Sequence, residues 1–149
     1  MRQRTFLAAA LLVVAACDDG SPVSIQRVLS LRAAHARWEG SGIDSYELTV
    51  RRVCFCGFVE PVRVKVVDGV IVSRTIASTG EPVPAVYTSY YPDVPGLFAI
   101  VEEAATDAHE FDAEFDANYG YPTEISIDWI MNVADDEEAY LAETFTITP

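Results

Sequence analysis

The pattern of apolar and polar positions changes character at Ser45, and the rest of the chain follows from that change. From Ser45 to Cys56, Tyr46, Leu48 and Val50 fall on one face of an extended chain, with Glu47, Thr49 and Arg51 on the other. This is the longest strand-like run. Before it, Ser24 to Trp38 has helical spacing, with Ile25, Val28, Leu29, Leu31, His35 and Trp38 as the apolar stripe. Ser24 is the expected N-cap, and Gly40-Ser41-Gly42 the stop.

After it, Pro61 to Ile76 reads as a hairpin turning at Asp68-Gly69, which pairs Val66 with Ile71 and Val64 with Ser73. That register puts Val62, Val64, Val66 and Ile71 on one face, and Arg74 on the other. Ser78 to Pro92 reads as loop, because Gly80, Pro82, Pro84 and Pro92 interrupt any ladder. A second helix is predicted from Val94 to Ala108, capped by Asp93, with Pro95 in its first turn and Val94, Leu97, Phe98, Val101, Ala105 and Ala108 inward. Phe111, Ala113 and Phe115 alternate with carboxylates. Asn118 to Pro122 is a turn, and Glu124 to Met131 a strand with Ile125, Ile127 and Trp129 on one face. An acidic loop, Ala134 to Glu138, precedes a last strand, Tyr140 to Ile147, in which Leu141, Phe145 and Ile147 align. The expected fold is α+β: an N-terminal helix and a central helix packed on one face of a mainly antiparallel sheet of about six strands.

Ahead of this domain, Arg2 and Arg4 form a positive start, and Phe6 to Ala16 is uninterruptedly apolar. Eleven apolar residues are too few to span a bilayer, which takes roughly 20. The run ends Val14-Ala15-Ala16-Cys17, then Asp18-Asp19-Gly20, and resembles a bacterial lipobox. The resemblance implies residues 1–16 as a signal peptide, lipidation and cleavage at Cys17, residues 17–23 as lipidated cysteine and tether, and 24–149 as one domain. Several acyl chains hold a domain firmly where one binds only marginally. The expected place is the bacterial cell envelope, on the inner or outer membrane, with the domain facing the periplasm or exterior.

Charge narrows the partners. With 23 acidic against 10 basic residues, a net −13, the surface repels phosphate backbones, so nucleic acid is not an expected partner. The expected partners are the bilayer, through acylated Cys17, and an envelope protein. Tyr90, Tyr91, Tyr119 and Tyr121 are the candidate contacts, since exposed aromatics anchor interfaces.

Cys54 and Cys56 are the remaining thiols once Cys17 is lipidated. In a regular strand their α-carbons would stand about 6.6 Å apart, at the edge of disulfide geometry. A bridge therefore requires a kink, which Gly57 eases. A structural disulfide ending the strand is the first reading; a redox-active or metal-handling pair is the alternative. Two cysteines fall short of a zinc site, and neither His35 nor His109 lies nearby in sequence. His35 is expected to pack on its helix face beside Trp38. Asp116, Asn118 and Gly120 lack the full spacing of a calcium loop. Nucleophile elbow, zinc-protease helix and phosphate loop are absent from the sequence. No cofactor is expected, and binding is favoured over catalysis.

Trp38, Gly42-Ile-Asp-Ser-Tyr46, Cys54-Phe-Cys56, the Val64–Gly69 hairpin, Leu97-Phe98, Tyr119-Gly-Tyr-Pro-Thr123 and Ile127-Asp128 together resemble a bacterial family of exported proteins. It is the domain-of-unknown-function family numbered 6174, whose members are commonly lipoproteins. The resemblance covers roughly Ala34 to Ile147. The Tyr-Gly-Tyr-Pro turn is also similar to small periplasmic domains of the PepSY and β-lactamase-inhibitor-like type. Neither likeness implies an activity or a catalytic residue.

Overall fold

The alternation becomes a six-stranded antiparallel sheet. The computed structural model describes residues 22–149, with side chains from 26 onward. The expected signal peptide, Cys17 and most of the tether lie outside the described residues. In chain order the elements are α1 (Pro22–Ser41), β1 (Tyr46–Cys54), β2 (Val62–Val67), β3 (Val70–Ile76), a 3-10 helix (Ala85–Tyr90), α2 (Val94–Asp107), β4 (Glu110–Phe115), β5 (Pro122–Asp128) and β6 (Glu138–Ile147). The spatial order is β3-β2-β1-β6-β5-β4, so the first and last strands meet in the middle. The fold is α+β, as expected: α2 packs on β4 and β5, and α1 on α2 and β4. Among the described residues no helix is long and apolar enough to cross a membrane.

α1 begins earlier than its spacing predicts. Pro22 lies in its first turn, where a missing N–H costs nothing, so Ser24 is inside the helix and not its cap. The buried stripe is Leu31, Ala34 and Trp38, whereas Val28 and Leu29 are exposed. Gly42, at φ +66°, ends the helix. His35 stacks on Phe98 of α2, ring centroids 4.4 Å apart, and so joins the two helices.

Two bulges correct the expected registers. Asp68 and Gly69 both have positive φ, the requirement of a tight two-residue hairpin turn. Val66 pairs with Ile71 as expected, but the register slips at Lys65/Val66, so Val64 faces Arg74 and not Ser73. A one-residue slip exchanges faces. Arg74 therefore moves to the covered side, where its Nε donates to the Tyr91 carbonyl at 2.6 Å. A second slip, opposite Thr49/Val50, changes the phase of β6. Phe145 and Ile147 share the face of Leu48 and Tyr46, but beyond the bulge Ala142, Tyr140 and Glu138 take that face. Leu141 then lies opposite Arg51 on the other side. Glu138 is thus the first residue of β6, where a loop end was expected.

α2 follows its sequence closely. The Asp93 carboxylate accepts from the Gly96 N–H at 2.9 Å as N-cap. The Tyr46 hydroxyl, from the start of β1, accepts from the Val94 N–H at 3.0 Å. Val94, Leu97, Phe98 and Val101 are buried as expected, and Ala104 is buried in place of Ala105. The stretch expected as loop holds the 3-10 helix and a bridge of Pro82 to Thr75.

Candidate functional site

β1 carries one charge on its covered face. Arg52 follows Tyr46, Leu48 and Val50 in alternation, and such a position demands a partner. The β1–β6 pairing supplies it, since Arg52 faces Tyr140 and Cys54 faces Glu138. Glu138 Oε2 accepts from Arg52 Nε at 2.9 Å and Nη2 at 2.7 Å, and from the Tyr140 hydroxyl at 3.2 Å. Its other oxygen accepts from Trp129 Nε1 at 3.0 Å. The Arg52 and Glu138 side chains are only 16% and 14% exposed.

Tyr90, from the 3-10 helix, lies over the guanidinium with its ring centroid 4.4 Å away. Burial alone would lower the Arg52 guanidinium; the hydrogen bonds and charge of Glu138 outweigh it and hold Arg52 above its ordinary value. Burial, reinforced by the Glu138 charge, pushes the Tyr140 hydroxyl up. With four hydrogen bonds accepted by its two oxygens, Glu138 acts as a strut between Arg52, Tyr140 and Trp129.

The strut ends at the cysteines. β1 stops at Cys54, and the chain bends through Phe55 to Gly57. The Cys54 and Cys56 α-carbons close to 5.3 Å, and the pair lies at disulfide distance. The kink that the spacing requires is therefore present. Arg52 Nη1, the nitrogen Glu138 leaves unused, lies 4.0 Å from Cys56 Sγ. A cavity of about 220 Å³ opens here, lined by Arg52, Cys54, Cys56, Trp129 and the acidic loop. A neighbouring cavity of about 320 Å³, lined by Val53, Ser126, Ala139 and Glu137 among others, touches Cys54 and not Cys56.

The loops at this end of the sheet carry exposed apolar side chains: Phe55, which lines both hollows, and Val59, then Val86 and Tyr90, and Ile130, Met131 and Val133. Phe55 is 83% exposed. A separate apolar hollow of about 450 Å³ lies between α1 and β4, where Arg27 pairs with Asp112 and covers Phe111.

The four tyrosines of the sequence reading do not form one surface. Tyr90 stands at the rim of this site. Tyr91 is fully buried, and its hydroxyl is pushed up by that burial, so it is a core residue and not a surface anchor. Tyr119 and Tyr121 belong to the β4–β5 turn. There Tyr121 stacks on Phe145 at 4.5 Å and meets Trp38 edge-on at 6.4 Å, while Tyr119 tilts on Phe145 at 6.1 Å. Burial pushes the Tyr121 hydroxyl up as well, Asp116 adding to it. Among the described residues no group of three or more His, Cys, Asp or Glu is placed to hold a metal ion.

Nothing in the spacing of the chain links Arg52 to Glu138, Trp129 and Tyr140. The available signal was Arg52 itself, a charge in phase with an apolar face.

A family model described as a family of unknown function, DUF6174, matches residues 30–147. The chain belongs to this family. No curated protein and no solved structure matches it.

Proposed function

We propose that this protein is a lipid-anchored domain of the bacterial cell envelope that binds another envelope protein. The carrying observation is the apolar rim at one end of the sheet: Phe55, Ile130 and Met131 are 83%, 57% and 61% exposed, on loops gathered around a braced ion pair. Exposed apolar side chains clustered this way mark interaction surfaces. The acidic residues Asp135, Asp136 and Glu137 beside them favour a partner with a cationic patch. The commitment of Glu138 to bracing Arg52, Trp129 and Tyr140 supports a binding role for this end of the sheet. The anchor is read from the lipobox at Cys17.

The test is site-specific photo-crosslinking of the full chain in its native envelope, with the reactive group at Phe55, at Met131 or, as a control, at Val72. A discrete adduct from Phe55 and Met131 but not Val72 is expected; equal smears from all three would overturn the surface. Intact mass of the same protein reads the anchor separately. A diacylglyceryl and acyl adduct at Cys17 is expected, and an unmodified leader or an unlipidated Cys17 would overturn it.

A further inference from the structure

The Cys54–Cys56 link closes a ring of three residues, the limit in which a cross-link removes least freedom from the unfolded chain. The backbone is already held up to that point by the pairing of Cys54 with Glu138. The pair nevertheless sits at the surface, Cys56 exposed and Cys54 half-buried, between two hollows. Beside Cys56 stands a cation that cannot swing away. Glu138 grips Arg52 by Nε and Nη2, Tyr90 covers its face, and Nη1 is left pointing at Cys56 Sγ. A fixed guanidinium next to a sulfur favours its thiolate.

We propose that Cys54–Cys56 is a thiol–disulfide exchange site that oxidises a dithiol carried on a neutral or cationic segment. A substrate thiolate enters the hollow that touches Cys54 alone and attacks Cys54 Sγ. A substrate–Cys54 bond forms, the Cys54–Cys56 bond breaks, and the electron pair goes to Cys56 Sγ beside Arg52 Nη1. The substrate's second thiol, after giving its proton to water, attacks its partner sulfur and expels Cys54 as a thiolate. The substrate leaves as a disulfide, and the protein holds two reduced cysteines and two electrons more. The carboxylates of Asp135, Asp136 and Glu137 at the hollows disfavour acidic thiols such as glutathione. This goes beyond binding, and rests on the envelope location only in that an oxidising compartment supplies the disulfide form. The test in solution is independent of that location.

The oxidised protein is mixed with a lysine-flanked Cys-Gly-Gly-Cys peptide or its glutamate-flanked counterpart, and quenched samples are read by mass. The lysine peptide is expected to become oxidised one for one with loss of the protein disulfide, about tenfold faster than the glutamate peptide at low salt, the gap closing as salt rises. With a single-thiol peptide, the trapped adduct is expected on Cys54. In the fully reduced protein, Cys56 is expected to be alkylated before Cys54 at neutral pH. A disulfide that survives millimolar peptide overturns the proposal. So does an adduct confined to Cys56, or alkylation in the reverse order.

Discussion

Gly120 lies directly against the backbone of α1: a β-carbon on it would overlap the carbonyl oxygen of Ala34. Its φ of +85° is also one that L side chains rarely adopt. Asp116 holds this turn from within, its carboxylate accepting from the N–H groups of Asn118 and Tyr119 at 3.0 and 2.6 Å. The turn is thus what lets α1 sit down on the β4–β5 end of the sheet. Gly120→Ala is expected to lower stability by at least about 2 kcal/mol, combining the left-handed strain with the displaced helix. Urea unfolding followed by tryptophan fluorescence checks this, since Trp38 packs on the turn; an unchanged midpoint would refute the close approach.

Arg52 and Glu138 are strongly coupled, being nearly buried and doubly hydrogen-bonded. Removing either partner alone strands the other, at about 3–5 kcal/mol. Glu138→Leu and Arg52→Met are each expected to fall in that range, and the double variant to lose clearly less than their sum, since only the Trp129 and Tyr140 donors then stay unpaired. Additive losses in the double-mutant cycle would show the pair to be uncoupled.

The Cys54–Cys56 link is expected to matter little to global stability. A three-residue ring corresponds to about 1.6 kcal/mol of closure entropy, the low end for disulfides. Replacing both cysteines with serine is therefore expected to lower the unfolding free energy by no more than about 2 kcal/mol, with the sheet intact by circular dichroism. A variant that failed to fold would make the bridge a structural requirement.

How far the chain could be read in advance depended on where its information lay. α2 was legible because Asp93, Pro95 and the spacing of Val94, Leu97, Phe98 and Val101 all act within a few turns. The Asp68-Gly69 hairpin was legible for the same reason. What misled were features set by a neighbouring strand. The bulges opposite Val50 and at Val66 reversed the faces of Leu141 and Arg74, and nothing local in the sequence marks an inserted residue. Tyr91 resembled Tyr90 in sequence but is buried, its ring meeting Phe58 edge-on and its hydroxyl donating to the Phe58 carbonyl. The Arg52–Glu138 pair spans 86 residues and exists only because the last strand returns beside the first.

Tyr46 and Tyr140 make stability depend on alkaline pH in a definite direction. Burial, the leading cause for both, pushes their hydroxyls well above the ordinary tyrosine range; Asp93 adds to it at Tyr46 and Glu138 at Tyr140. Tyr91 and Tyr121 are shifted the same way. A raised value means that the folded chain holds the proton more tightly than the unfolded one. The associated stability is therefore complete below the unfolded value of about 10 and is lost as pH rises through the folded one. Tyr46 and Tyr140 leave stability flat between about pH 7 and 9, and from about pH 10 up to its folded value each removes about 1.4 kcal/mol per pH unit. Tyr140→Phe is expected to reduce the alkaline slope by one such increment. Tyr46→Phe does the same, but also lowers stability at neutral pH, because the Val94 N–H loses its acceptor. Urea midpoints of the three proteins between pH 7 and 11.5 measure this, and a slope unchanged in Tyr140→Phe would show that its hydroxyl ionises as freely in the folded chain as in the unfolded one.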